Sequence, residues 1–130
     1  AIMAAAVADY TPSVVSDQKI KKNGRDEMIL TLKKTKDILA SLGKTKTNGQ
    51  LLVGFALETN DEADHAQKKL KEKNADLMIL NSLNDEGAGF GHDTNKVTLF
   101  FRNGSQKQIE LKSKHALAKD IVDSITEIKK

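Results

Sequence analysis

The chain contains no cysteine and no tryptophan, one proline, one tyrosine and four phenylalanines. Without cysteine, disulfides, thiolate nucleophiles and Cys-based metal sites are all excluded, and a reducing compartment fits, so the cytoplasm is the expected location. With aromatics at 4%, the core has to be assembled from Leu, Ile, Val, Ala and a few Phe, which suits parallel strands covered by helices. No apolar run approaches the ~20 residues that a membrane span requires, and the opening Ala1 to Ala8 lacks the basic flank and length of a signal peptide. A large charge excess is missing too: 21 Lys and Arg stand against 18 Asp and Glu, a net +3. The lysines are spread along the chain and not interleaved with aromatics, so neither a membrane nor a nucleic acid is expected as partner. A small polyanion suits this charge better.

The 130 residues, 38% hydrophobic and 30% charged, fit one globular domain that buries roughly two-thirds of its unfolded surface. Ala1 to Ala8 is small and apolar on both faces, as in a central parallel strand, so the chain is expected to start within a domain. Thr11 to Asp26 carries the only proline and the run Lys19-Ile20-Lys21-Lys22-Asn23-Gly24, and reads as a mobile surface loop. Glu27 to Lys33 alternates well enough for a strand. Thr35 is placed to cap a short helix bearing Ile38, Leu39 and Leu42, with Gly43 as its left-handed stop.

Leu51 to Ala56 is a continuous apolar run, typical of a strand buried on both faces. Thr59 and Glu62 have capping-box spacing before a helix whose buried stripe is Ala63, Ala66 and Leu70. Asp76 to Leu80 is the next strand, and the strand, helix, strand order demands a right-handed crossover and a parallel sheet. Val97 to Phe101 and Ile109 to Leu111 flank Arg102-Asn103-Gly104-Ser105, a hairpin signal. Ser113 caps a last helix with Leu117, Ile121, Ile125 and Ile128 on one face.

Three polar positions follow apolar strands, where open α/β sheets take their ligands: Asp9, Glu58 to Asn60, and Asn81. Taken singly each reads more readily as a helix cap or turn residue; their convergence on one sheet edge brings the ligand reading level with that one. The lysines at 19 to 22 either form a solvated charge run or close over a triphosphate. Lys68, Lys69, Lys71 and Lys73 match a helix macrodipole, while the spacing of Lys69 and Lys73 also permits a phosphate clamp. Gly87-Ala88-Gly89-Phe90-Gly91 matches no phosphate-loop pattern and reads as a connection. His65, His92 and His115 lack ligand spacing, so no metal site built from protein ligands is expected. No Ser or Lys stands in a nucleophile context, leaving positioning and electrostatics as the means of any catalysis.

The runs Ala4-Ala5-Ala6-Val7-Ala8-Asp9-Tyr10, Lys19-Ile20-Lys21-Lys22 and Gly54-Phe55-Ala56-Leu57-Glu58-Thr59 resemble, in order and spacing, the bacterial phosphopantothenate–cysteine ligase domain. Asp37-Ile38-Leu39-Ala40, Ala75-Asp76-Leu77 followed by Asn81, and Gly89-Phe90 followed by Asp93 and Asn95 extend the likeness over nearly the whole chain. The resemblance implies a Rossmann-like three-layer α/β/α fold with a mainly parallel sheet and a C-terminal hairpin, truncated at its N-terminus. It implies a cytoplasmic ligase that forms a C–N amide bond. CTP and Mg2+ convert the carboxylate of 4'-phosphopantothenate to an acyl cytidylate, pyrophosphate leaves, and the cysteine amine attacks. By position, Met3, Ala4, Ala5 and Phe55 line the nucleotide pocket and Asp9 holds polar groups of the nucleotide. Lys19 is the mobile catalytic lysine; Lys36, Asp37, Ile38 and Leu39 form a contact at a helix start, and Lys69 and Lys73 complete the pocket. The family often has Asn-Pro where this chain has Thr35-Lys36, so backbone contacts are implied there.

The same resemblance implies a homodimer and a flavin-dependent decarboxylase domain fused upstream. It also implies that this piece, lacking the family's Gly-rich opening segment, binds nucleotide without necessarily turning over. The rival readings from the residues are a dinucleotide-binding oxidoreductase, which lacks its glycine fingerprint here, and a noncatalytic module for small anions.

Overall fold

The computed structural model describes residues 1–21, 24, 26–58, 61–82 and 91–129. Lys22, Asn23, Thr59, Asn60 and the stretch Gly87 to Phe90, all singled out above, lie outside the described residues. The chain falls into two compact units, one formed by Ala1–Ala4 with Leu39–Lys130, the other by Ala5–Ile38.

The larger unit is an α/β fold around a five-stranded sheet of order β1-β4-β5-β6-β7. Its strands are β1 (Ile2–Met3), β4 (Val53–Glu58), β5 (Leu77–Ser82), β6 (Thr94–Phe101) and β7 (Gln106–Ser113). β1, β4 and β5 run parallel, and β6 and β7 are antiparallel additions. Helices α1 (Ile38–Thr45) and α2 (Glu62–Glu72) cover one face through Ala56, Leu70, Met78, Leu80 and Phe100, with Leu39 and Leu42 packed alongside. Helix α3 (Lys114–Ile128) covers the other through Leu77, Ile79, Leu99, Leu117 and Ile121. Leu77, Met78 and Ile79 are completely buried, which explains the unbroken apolar run in β5: successive side chains enter opposite cores. Each such side chain contributes about 1.5–3 kcal/mol of hydrophobic stabilisation.

The last helix forms as its pattern predicts, with the Ser113 hydroxyl accepting from the Ala116 N–H at 3.3 Å. The hairpin forms as well. Gly104 takes φ +89, which a β-carbon would oppose, and the Phe101 N–H donates to the Ser105 carbonyl at 2.9 Å.

Four local expectations need correction. The opening segment is not a central strand: only Ile2–Met3 pairs, at the sheet edge, and Ile2 is half exposed. Strand pairing on one side alone gives an edge, however apolar the residues. Thr35 is not a helix cap, because its hydroxyl donates to the Ala8 carbonyl at 2.7 Å, while α1 begins three residues later. α2 begins at Glu62 behind Asp61, whose φ of 44 lies in the left-handed region and whose side chain makes no capping bond. The capping box read from Thr59 lies outside the described residues, and Ala63 of the supposed buried stripe is exposed. Gly43 is not a stop but an interior residue of α1. It is glycine for space, since a β-carbon there would overlap the Lys73 carbonyl oxygen.

That contact belongs to a brace at the amino ends of β4 and β5. α2 ends in a Schellman motif: the Ala75 N–H reaches the Leu70 carbonyl at 3.0 Å and the Asn74 N–H the Lys71 carbonyl at 3.1 Å. Asn74 occupies the left-handed position, φ 50, where glycine is commoner. Its amide has a further use, donating to the Gly43 carbonyl at 2.8 Å and accepting from Arg102 at 2.6 Å. Beside it, Asp76 takes Lys46 Nζ on both oxygens at 2.9 and 2.7 Å, the Leu52 N–H at 2.8 Å and Arg102 at 3.2 Å. Burial pushes the Asp76 carboxyl up, but hydrogen bonds from Lys46, Leu52 and Arg102, with the Lys46 charge, outweigh it and hold the group below its ordinary value.

The smaller unit holds a second sheet, β2 (Tyr10–Pro12) antiparallel to β3 (Leu32–Lys34), extended by the Ser13 N–H to the Thr31 carbonyl and the Thr35 N–H to the Asp9 carbonyl, both 2.9 Å. The strand expected at Glu27 to Lys33 is confined to its end. Val14, Val15, Ile20, Met28, Ile29 and Leu30 are all exposed, between 60% and 91%.

Two outcomes follow from the brace. Gly43→Ala should gain about 1 kcal/mol of helix propensity yet lose more to the overlap with fixed backbone, for a net destabilisation of roughly 1–3 kcal/mol, read by chemical denaturation. Asp76→Asn should lower the melting temperature at neutral pH. Because the folded-state pKa is depressed, the carboxylate's contribution is complete above its ordinary 3.8 and disappears as pH falls through the folded value. The gap between variant and native melting temperatures should therefore close in acid; a gap that stays constant would show that the charge is not responsible.

Candidate functional site

The carboxyl ends of β4 and β5 lie side by side, with Leu57 opposite Asn81 and Glu58 opposite Ser82. This is the edge at which a parallel sheet receives ligands. Two of the three positions expected there, Glu58 and Asn81, are brought together by that register. The third, Asp9, is exposed in the smaller unit.

Glu58 ends β4 with its side chain only 16% exposed. Its carboxylate takes Lys69 Nζ on one oxygen at 2.6 Å and faces His65 Nδ1 with the other at 3.6 Å. Both side chains stand on α2 four residues apart, so they share a helix face. Helical side chains lean toward the N-terminus, which lets Lys69, in the last turn of α2, reach back to the end of β4. Lys73 follows one turn on as the C-cap, φ −88 and ψ 0, its N–H donating to the Lys69 carbonyl at 2.9 Å and its own carbonyl packing against Gly43.

Asn81 ends the apolar part of β5 half-buried, and its Oδ1 accepts from Asn95 Nδ2 at 3.0 Å. Asn95 in turn accepts the Lys96 N–H at 2.9 Å, where β6 shifts register against β7. The pair fixes which way the Asn81 amide points at the strand end.

Met3 and Phe55 occupy opposite faces of the sheet. Met3 pairs with Gly54 and packs toward α1 and α2; Phe55, one residue on, packs half-buried toward α3. A ligand touching both has to cross the sheet's edge. Leu39 sits over Gly54, where a β-carbon would come within 2.7 Å of its Cδ2, so that glycine admits the first turn of α1 to the sheet. Ala4 is exposed in the larger unit. Ala5, Lys19, Lys36, Asp37 and Ile38 are exposed in the smaller unit, and the helix start expected beside Lys36 is observed at Ile38.

The larger unit has cavities at other places too. One of about 320 Å³ opens between α2 and the hairpin, beside Gln67, Lys71, Phe100 and Ser105. Others lie at the opposite, amino end of the sheet around Lys46 and Gln50. Among the described residues no three His, Asp or Glu side chains are grouped to hold a metal ion, and no helix is long and apolar enough to cross a membrane.

Sequence reasoning missed His65 as a partner of Glu58, although its spacing from Lys69 was a usable signal. It missed Asn95 as the group that orients Asn81. The ties of Lys46 and Arg102 to Asp76 cross 30 and 26 residues and carry no local signal.

Residues 1–128 match the family model described as the DNA/pantothenate metabolism flavoprotein C-terminal domain. Over 125 residues the chain is 54% identical to a cysteine/cysteine sulfinic acid decarboxylase from an unknown prokaryotic organism, covering 96% of this chain and 34% of that protein. It is 46% identical over 129 residues to the coenzyme A biosynthesis bifunctional protein CoaBC of Bacillus subtilis (strain 168), covering 99% of this chain and 31% of the relative. The crystal structure of the C-terminal domain of a coenzyme A biosynthesis bifunctional protein CoaBC superposes with a TM-score of 0.75 at 34% identity, over 98% of this chain and 53% of that one. The chain thus spans about a third of the length of these curated relatives.

Proposed function

The chain belongs to the DNA/pantothenate metabolism flavoprotein C-terminal domain family, and from that premise we propose that it is the nucleotide-binding part of a phosphopantothenate–cysteine ligase acting in coenzyme A biosynthesis. The observation that carries this reading is the match over nearly all of this chain to CoaBC in sequence and to the C-terminal domain of a CoaBC in fold, together with a polar edge at the carboxyl ends of β4 and β5. The decarboxylase name of the 54% identical relative belongs to a protein about three times as long, of which this chain covers 34%. It fits a fused arrangement in which a flavin-dependent decarboxylase domain lies upstream.

In this reading CTP is the co-substrate, and it activates the 4'-phosphopantothenate carboxylate for attack by the cysteine amine. Magnesium arrives with the triphosphate, whose oxygens hold it. Lys19, exposed on the smaller unit, neutralises charge developing on the phosphoryl or acyl oxygens. Lys69, already at the end of β4, offers its ammonium to the phosphates. Asp9 takes the nucleotide's polar groups, and Lys36 to Leu39 supply backbone N–H groups at the start of α1. The partner is a second copy of the chain: six large apolar side chains of the smaller unit, at 60% to 91% exposure, are a surface that a homodimer would cover.

Calorimetric titration with CTP and ATP in the presence of magnesium tests the nucleotide assignment. CTP should bind saturably and more tightly than ATP, and Lys19→Gln should weaken it roughly ten-fold, as loss of one charge-assisted contact does. Absence of binding by either nucleotide would remove the ligase reading. Sedimentation at micromolar concentration should give a dimer, and Ile29→Lys should shift it toward monomer; a native chain that sediments as a monomer contradicts the assembly.

A further inference from the structure

We propose that Glu58 is a positioning residue that anchors the ammonium of Lys69 at the ligand edge of the sheet, an inference that rests on the nucleotide reading above. Glu58 is a carboxylate at the end of a strand whose preceding residues are mostly buried, and it is itself 16% exposed. Removing a carboxylate from water is costly unless it is paired. Here α2 supplies a partner for each oxygen, Lys69 Nζ at 2.6 Å and His65 Nδ1 at 3.6 Å.

The lysine gains most from the arrangement. A free lysine side chain samples many rotamers, and the neighbouring Lys68 illustrates this, being 71% exposed and 3.8 Å from Glu72 on its own helix. Lys69 instead bridges from helix to strand across 11 residues. A short charge-assisted bond between two rigid elements fixes its head group in a way that an exposed pair within one helix does not. An ammonium has three N–H donors, so one given to Glu58 leaves two for the oxygens of a phosphate. Glu58 thus pre-orders a flexible cation before the ligand arrives, and it also balances part of the lysine's charge in the unliganded protein. His65 Nδ1 stands 3.6 Å from the second carboxylate oxygen, on the same face of α2.

The proposal makes the effect of Glu58 conditional on Lys69, which a purely structural role would not. Calorimetric CTP affinity, with magnesium, should be compared for the native chain, Glu58→Gln, Lys69→Ala and the double variant. Glu58→Gln should weaken binding about five-fold with unchanged stoichiometry, and the double variant should bind no more weakly than Lys69→Ala alone, the signature of coupled neighbours. Should Glu58→Gln fail to fold, Glu58→Asp keeps the charge but shortens the reach, and the same dependence on Lys69 is expected. Unchanged or tighter binding by a folded Glu58 variant, or losses that simply add, would overturn the positioning role while leaving the nucleotide reading intact. No binding by the native chain sinks that reading itself, and this inference with it.

Discussion

A single carboxylate ties together the amino end of the larger unit. Asp76 stands just before β5 and accepts from Lys46 after α1, from the backbone of Leu52 before β4 and from Arg102 after β6. The main chain reinforces the same junction: the Asp76 N–H donates to the Leu52 carbonyl at 2.8 Å, and the Arg102 N–H to the Asp76 carbonyl at 3.0 Å. A parallel pair such as β4 and β5 has no tight turn to set its register, so groups that join the strand starts set it instead. With Leu52 held against Asp76, Val53 falls opposite Leu77 and the remaining pairs follow to Glu58 and Ser82. The alignment of the ligand edge is therefore decided at the far end of the strands.

The two ends of the sheet use ion pairs differently. At the amino end, Asp76 and Lys46 are nearly buried, at 12% and 11% exposure, and every acceptor position on the carboxylate is used. Saturation of that kind makes a pair structural, because breaking one partner strands a buried charge. At the carboxyl end, Glu58 is shielded while Lys69 is about half exposed, so the lysine keeps donors facing solvent. A half-exposed pair of that kind can exchange its partner without breaking the fold.

Helix ends show how neighbouring elements overrule local signals. Thr35 has the chemistry of a cap, yet its hydroxyl goes to Ala8, because the strand partner is nearer than the helix. Gly43 looks like a helix stop and is instead the gap through which the end of α2 approaches α1. Asn74, which does terminate a helix, was unremarked because glycine is the usual residue there; asparagine serves because its amide also links Gly43 to Arg102.

Periodicity and composition alone were enough to place β4, β5, the hairpin and α3, since each rests on short-range effects: apolar runs, an Asn-Gly turn and a serine cap. The ordered motifs likewise carried the family, because they record residue types in sequence. Tertiary structure alone decided that the apolar opening becomes an edge strand, since burial depends on what lies on both sides and not on the residues themselves. It alone showed that Met3 and Phe55 face opposite cores, a consequence of a two-residue alternation applied across the β1 and β4 register. And it alone joined Glu58 to His65 and Lys69, because a contact between strand and helix depends on how the crossover folds back, which no spacing along the chain states.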